Sequence, residues 1–291
     1  MLGKAPLLAL MLASFATACA SGGKSPDNDV QPVRALPPDS APPPPVDGMP
    51  AGFGAAFTMA DARARAVLYY QQCSATIVRL RASGSLGATA SAPRTVYCER
   101  NADGLPLGGV FDIDTGYTRA RRLTMIRLDG ARARYTDAID TVRVAQAARL
   151  VRDITREIAA VVRRTGRSYS VVPLTQADGT IEGWVIPVST RARTAILGGD
   201  MAFVRDAAGT LRRIADRTAT WKLITVPVTG LVRLTSAERD VAAVSDLAAA
   251  RSLAERGRDV IVATTIAKSA LVPGLDPSGS RFRWEHERST P

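Results

Sequence analysis

Histidine is almost missing: the 291 residues hold one, His286, close to the C-terminus. Zinc sites draw on clusters of His, Cys, Asp or Glu, so a His-based zinc site within one chain is excluded. A Ser-His-Asp triad would have to use that same residue. Glu285 and Glu287 beside it point instead to a solvated side chain. No Gly-x-Ser-x-Gly occurs to supply a nucleophile turn. Cysteine is scarce, with Cys19, Cys73 and Cys98 alone, and aromatics make up 5%. Lysine is scarce too, so the net charge of +11 is carried by arginine. The longest apolar run, Ala5–Ala13, is about half the length that spans a bilayer. Phosphate loops, Asp-rich calcium loops and nucleic-acid motifs are absent, so no cofactor, metal or nucleic acid is expected.

What is present begins with that apolar run. Lys4 precedes it and small residues follow up to Ala18, the layout of a secretory signal. Ala16-Thr17-Ala18 is then followed by Cys19. This arrangement resembles the lipobox of bacterial lipoproteins over about the first 20 residues, with Ala16 at the position where Leu is commonest. The resemblance implies cleavage before Cys19, a diacylglycerol on its thiol and a palmitate-type acyl chain on its new amine. Two or three chains on one residue give a stable anchor, whereas one binds only marginally. Ala20 and Ser21, rather than Asp, follow the cysteine, which by the same resemblance implies the outer membrane.

Nine prolines lie between Pro26 and Pro50, in a segment with few apolar residues. Such a composition does not offset its ordering entropy and reads as a disordered, semi-extended tether. The expected organisation is a signal peptide at 1–18, a lipidated cysteine and linker at 19–52, and one α+β periplasmic domain at 53–291. With Cys19 acylated, Cys73 and Cys98 are the one pair left in an oxidising compartment, which predicts a disulfide; two buried thiols are the alternative.

Periodicity predicts a helix over about 59–72, started by Thr58 and Asp61. Val78 and Leu80 alternate with Arg79 and Arg81, which predicts a strand over 75–82 or a longer helix. A strand is expected at 95–99, and a hairpin at 122–128 and 131–135 around Asp129-Gly130. Val144, Ala147, Val151, Ile154, Ile158 and Val161 recur at three and four, predicting a helix to about Arg164 that Gly166 ends. Strands follow near 169–174, 181–188, 201–205, 211–215 and 220–226. Thr235 with Glu238 reads as a capping box for a helix to about Arg256. A strand is expected at 259–265, and 281–286 reads as another strand or as a tail. No internal repeat is apparent. Hairpins dominate, so the expected fold is α+β: a mostly antiparallel sheet packed by two or three helices.

One short stretch carries a possible chemistry. Asp114-Thr115-Gly116 resembles the Asp-Thr-Gly of aspartic proteases, and Ile196-Leu197-Gly198-Gly199 resembles the apolar-apolar-Gly run of their retroviral branch. The resemblance implies a catalytic Asp114 and a dimer supplying the second carboxylate. The plain alternative places Asp112 and Asp114 at a strand end before a turn. Arg119, Arg121, Arg122, Arg127, Arg132 and Arg134 fall on the predicted hairpin. With alternation, Arg119, Arg121, Arg132 and Arg134 are candidates to bind phosphate or carboxylate groups. Trp184, Trp221 and Trp284 read as packing residues. The function expected is binding: an outer-membrane lipoprotein held at the membrane by its anchor. Its partner would be an envelope protein, peptidoglycan or an anionic lipid, and an envelope hydrolase using Asp114 is the rival.

Overall fold

The structure, a computed structural model, describes residues 48–84, 94–100, 106–129, 132–134, 139–176, 178–189, 191, 193–206, 208–236, 240–274 and 281–289. Within them lie three α-helices and fourteen strands, an α+β fold with mostly antiparallel sheets. The signal, Cys19 and the proline-rich linker lie outside the described residues.

Helix α1 (Phe53–Ala82) starts earlier and runs longer than expected. Gly52, at φ 84°, turns the chain into it, so Thr58 is inside the helix and caps nothing. The strand reading of 75–82 is replaced by helix. Cys73 and Ile77 keep the core-facing spacing, while Val78 lies outside, 49% exposed. Strands β1 (Arg94–Arg100), β2 (Pro106–Ile113), β3 (Ala120–Asp129) and β4 (Arg132–Arg134) then form an antiparallel meander. Helix α2 (Thr141–Thr165) is capped by Asp140, whose side chain accepts from the Val142 N–H, and ends at Gly166 in the left-handed region. Strands β5 (Ser168–Thr175), β6 (Ile181–Val188), β8 (Met201–Arg205) and β9 (Leu211–Asp216) form a second meander. β7 (Thr194–Leu197) leaves it to pair with β10 (Lys222–Thr225).

These two stretches are one pattern used twice. Adding 75 to both members of each pair in the β1–β2 ladder gives the β5–β6 ladder: Cys98↔Gly108 becomes Pro173↔Gly183. The helices correspond with a shift of 77, Cys73 with Leu150 and Ile77 with Ile154. In both units the glycine sits under its helix. A Cβ on Gly108 would overlap Ile77 and Cys73, and one on Gly183 would overlap Ile154 and crowd Leu150. A repeat is therefore present where the sequence reading found none. Its traces in the sequence are Ala102-Asp103-Gly104 and Ala177-Asp178-Gly179, each followed four residues later by one of these glycines.

The units interlock. On β1, Cys98 faces α1 through its disulfide to Cys73, with Cα atoms 6.3 Å apart. Glu99, on the reverse side, takes a hydrogen bond from Arg143 of α2 at 3.1 Å. On β6, Gly183 and Val185 lie under α2, whereas Glu182, facing away, pairs with Arg63 of α1 through two hydrogen bonds of 2.9 and 3.0 Å. β2 over residues 107–111 and β6 over 182–187 are thus buried on both faces, which explains why they read as near-continuous apolar runs.

The last part is built differently. β11 (Val232–Ser236) occupies the position where a capping box was read, and helix α3 (Val244–Glu255) starts later, with Ala243 before it. β12 (Val260–Thr264), β13 (Ala267–Pro273) and β14 (Phe282–Arg288) complete a four-stranded sheet. β11 and β12 are parallel, joined by α3, so this sheet is mixed. α3 packs against α1, and one hydrophobic cluster runs from Phe53 to Leu271.

Candidate functional site

Asp114 sits just past the end of β2. Its Oδ1 accepts from the backbone N–H of Thr118 at 2.8 Å and of Arg119 at 3.0 Å, and its Oδ2 accepts from the Thr118 hydroxyl at 2.6 Å. These bonds, the Arg119 N–H foremost, hold its carboxyl below the usual range in full exposure to solvent. The residue closes the β2–β3 turn, with Tyr117 at φ 55° inside it and Arg152 stacked 4.2 Å over the Tyr117 ring. Asp112 pairs instead with Arg121 across the ladder at 2.7 Å. Arg119, Arg121 and Arg122 are exposed. Arg121 and Arg122 are consecutive on β3 and so point to opposite faces. The side chains of Arg127, Arg132 and Arg134 lie outside the described residues, as does the turn at Gly130.

His286 is half-buried, a correction to the solvated reading. Alternation along β14 sends Glu285 and Glu287 outward and turns the imidazole inward, edge-on to Phe57 at 4.5 Å and Phe53 at 5.3 Å. Its Nδ1 meets the Ser269 hydroxyl at 2.8 Å. Burial lowers its pKa from 6.5.

Four buried or nearly buried carboxylates hold the molecule together. Asp61 of α1 receives Arg251 of α3 through bonds of 2.6 and 2.7 Å and the Trp284 indole N–H at 2.8 Å. Glu182 receives Arg63 and the Trp184 indole N–H. Asp200 accepts from Arg217 at 2.7 Å and from the Ser245 hydroxyl at 2.9 Å. Asp246, in the first turn of α3, accepts from the Gly198 N–H at 2.7 Å. Burial pushes the Asp246 carboxyl up against the pull of the Gly198 N–H, and the Asp200 charge adds to the rise. Two neighbouring carboxylates with unlike environments are the raw material of acid–base chemistry. Here both are shut away from solvent, and they pin the Gly198-Gly199 turn to α3.

Among the described residues no group of His, Cys, Asp and Glu is arranged to hold a metal, and no helix is long and apolar enough to cross a membrane. The outward-facing chemistry lies elsewhere, on the loop between β10 and β11. Six large apolar side chains are strongly exposed among the described residues; Met59, Val78, Val142 and Ile214 are scattered over α1, α2 and β9. Val228 at 54% and Leu231 at 46% share this one loop. Gly230, at φ 88°, makes its tight turn. The loop is held at both ends: the Val226 N–H donates to the Arg193 carbonyl and the Val232 N–H to the Asp259 carbonyl, each at 2.8 Å. Those bonds bring the segments carrying Arg191 and Arg193, and Arg258, against its flanks. The sequence reading did not single this loop out; Pro227-Val228-Thr229-Gly230-Leu231 reads as an ordinary turn until its exposure is known.

No family model, no curated protein and no solved structure matches this chain.

Proposed function

We propose that the chain is a bacterial cell-envelope lipoprotein, anchored in the outer membrane through acylated Cys19, whose α+β part acts by binding rather than by catalysis. The observation that carries the anchor is the order of the first residues: Lys4, an apolar run, Ala16-Thr17-Ala18 and then Cys19. Binding is supported by how the charges are used. The buried carboxylates tie helices to one another and to the turns and strands beside them, whereas two of the six strongly exposed apolar side chains, Val228 and Leu231, share the β10–β11 loop, with exposed Arg191, Arg193 and Arg233 on the segments beside it. An envelope protein, peptidoglycan or an anionic lipid suits a basic domain held at a membrane.

The test is fatty-acid labelling with membrane fractionation of the wild-type chain and of Cys19→Ser. Labelled wild type in the membrane fraction, with unlabelled Cys19→Ser, is the expected result. An unlabelled wild-type chain overturns the anchor.

A further inference from the structure

We propose that the β10–β11 loop is a docking face for an anionic lipid bilayer. Val228 and Leu231 enter the boundary between headgroups and acyl chains, and the surrounding guanidiniums pair with lipid phosphates. The inference rests on the lipoprotein reading, because that reading gives the domain a bilayer to meet.

Two properties of the loop point to lipid. The first is an apolar tip at the surface. Val228 and Leu231 are about half exposed within a four-residue stretch, next to the exposed Pro227. Such a tip costs free energy in water and gains it on entering a bilayer. The second is the charge around it. Arg191 and Arg193 precede β7 on one flank, with Arg193 at φ 57°, a conformation uncommon for arginine. Arg233 follows two residues after Leu231, and Arg258 adjoins the residue whose carbonyl holds Val232. Arg191, Arg193 and Arg233 are exposed, and Arg258 is half-buried.

These four arginines differ from most of those nearer the core. Arg63, Arg143, Arg205, Arg213, Arg217 and Arg251 all meet a carboxylate. Among the described residues no ion pair engages Arg191, Arg193, Arg233 or Arg258. Asp259, whose carbonyl holds the loop, is an exposed acid beside it. An apolar tip with cations on the segments that flank it, none of them in an ion pair among the described residues, is complementary to a layer of phosphates above hydrocarbon, and each such cation near an anionic surface contributes about 1 kcal/mol. A protein partner would have to supply its own acids opposite those cations, whereas an anionic leaflet presents them at every position.

The experiment uses the lipidated full chain in vesicles. With Cys19 acylated and Cys73 bonded to Cys98, Thr229→Cys provides a unique thiol for a polarity-sensitive fluorophore. Vesicles contain brominated phosphatidylcholine, with or without phosphatidylglycerol. The expected result is strong quenching at Thr229→Cys when phosphatidylglycerol is present and weak quenching without it. Val142→Cys, exposed on α2, stays unquenched in both. Adding Arg193→Glu and Arg233→Glu lowers the face-down population by at least about fivefold for each charge removed. The same exchange at Arg163 and Arg164 on α2 leaves it unchanged. Leu231→Asp removes quenching while the chain still floats with the vesicles.

A chain that floats but is not quenched at Thr229→Cys overturns this inference and leaves the anchor standing. Equal loss from the α2 charge exchange overturns it as well, reducing the effect to net charge. A chain that does not float with either vesicle overturns both readings.

Discussion

Single residues decide where this molecule spends its charge. Asp61 and Arg251 face each other at 6% and 5% side-chain exposure, and Trp284 adds a third bond. Removing one partner of a buried pair leaves the other desolvated without compensation, which costs about 3–5 kcal/mol. Asp61→Ala is therefore expected to lower unfolding stability by that amount in urea titration, whereas alanine at the exposed Asp206 moves it far less. A loss under 1 kcal/mol for Asp61→Ala would mean that Arg251 finds water or another acceptor. Little of this was legible in sequence. Asp61 was read as part of a helix start, because an acid three residues after a threonine fits a capping box; its partner lies 190 positions away. His286 was misread for a related reason. Glu285 and Glu287 are its neighbours along the chain, but alternation puts them on the other face of β14.

At the scale of elements, the two α–ββββ units offer a built-in comparison. One joins its helix to its first strand through Cys73–Cys98; the other places Leu150 and Pro173 at the corresponding positions. The crosslink closes a loop of 25 residues, and chain entropy assigns it roughly 3 kcal/mol. Reduction, or the Cys73→Ser and Cys98→Ser pair, is expected to lower the thermal midpoint by several degrees while far-UV circular dichroism at room temperature keeps its shape. An unchanged midpoint would show that the apolar contact around Gly108 suffices, as it does in the second unit. Regular elements were legible where local pattern and tertiary demand agree. α2 has an apolar face with a three-and-four repeat and a terminal glycine, and both appear as read. α1 was split because Val78 and Leu80 alternate with arginines, a pattern that a helix end also produces when its outer side is partly apolar. The cap at Thr235 failed because the alternating Val232 and Leu234 are buried in β11, which extends the sheet through the threonine. The repeat escaped notice because the few residues it keeps are glycines and turn residues, while its packing residues change type.

For the molecule as a whole, pH acts through carboxyls shifted in opposite directions. Asp114 and Asp178 have carboxyls held down, chiefly by backbone N–H groups of Arg119 and Thr180. They stabilise the fold above their unfolded values, and that contribution is lost as pH falls below about 4. Asp246 works the other way. Its folded pKa lies above the ordinary 3.8, so the folded chain holds this proton more tightly than the unfolded one. Its contribution is complete below that value and is lost as pH rises through the folded pKa. Asp246→Asn keeps an oxygen for the Gly198 N–H and cannot ionise. Relative to wild type, its stability is expected to improve as pH rises above the ordinary carboxylate range and to level off once wild-type Asp246 has ionised, in parallel urea titrations. A difference independent of pH would mean that Asp246 stays ionised beside Asp200.

The interlocking of the two units bears on how the chain can be cut. α1 covers its own sheet and reaches Glu182 in the other, while α2 covers its own sheet and reaches Glu99 in the first. A fragment ending before α2 would bare the reverse face of β1 and β2, and one beginning at α2 would leave Glu182 without Arg63. Neither half is a usable bait, so an interaction screen built on truncations would report the stickiness of torn surfaces, and mapping by point substitution in the intact chain is the sound route.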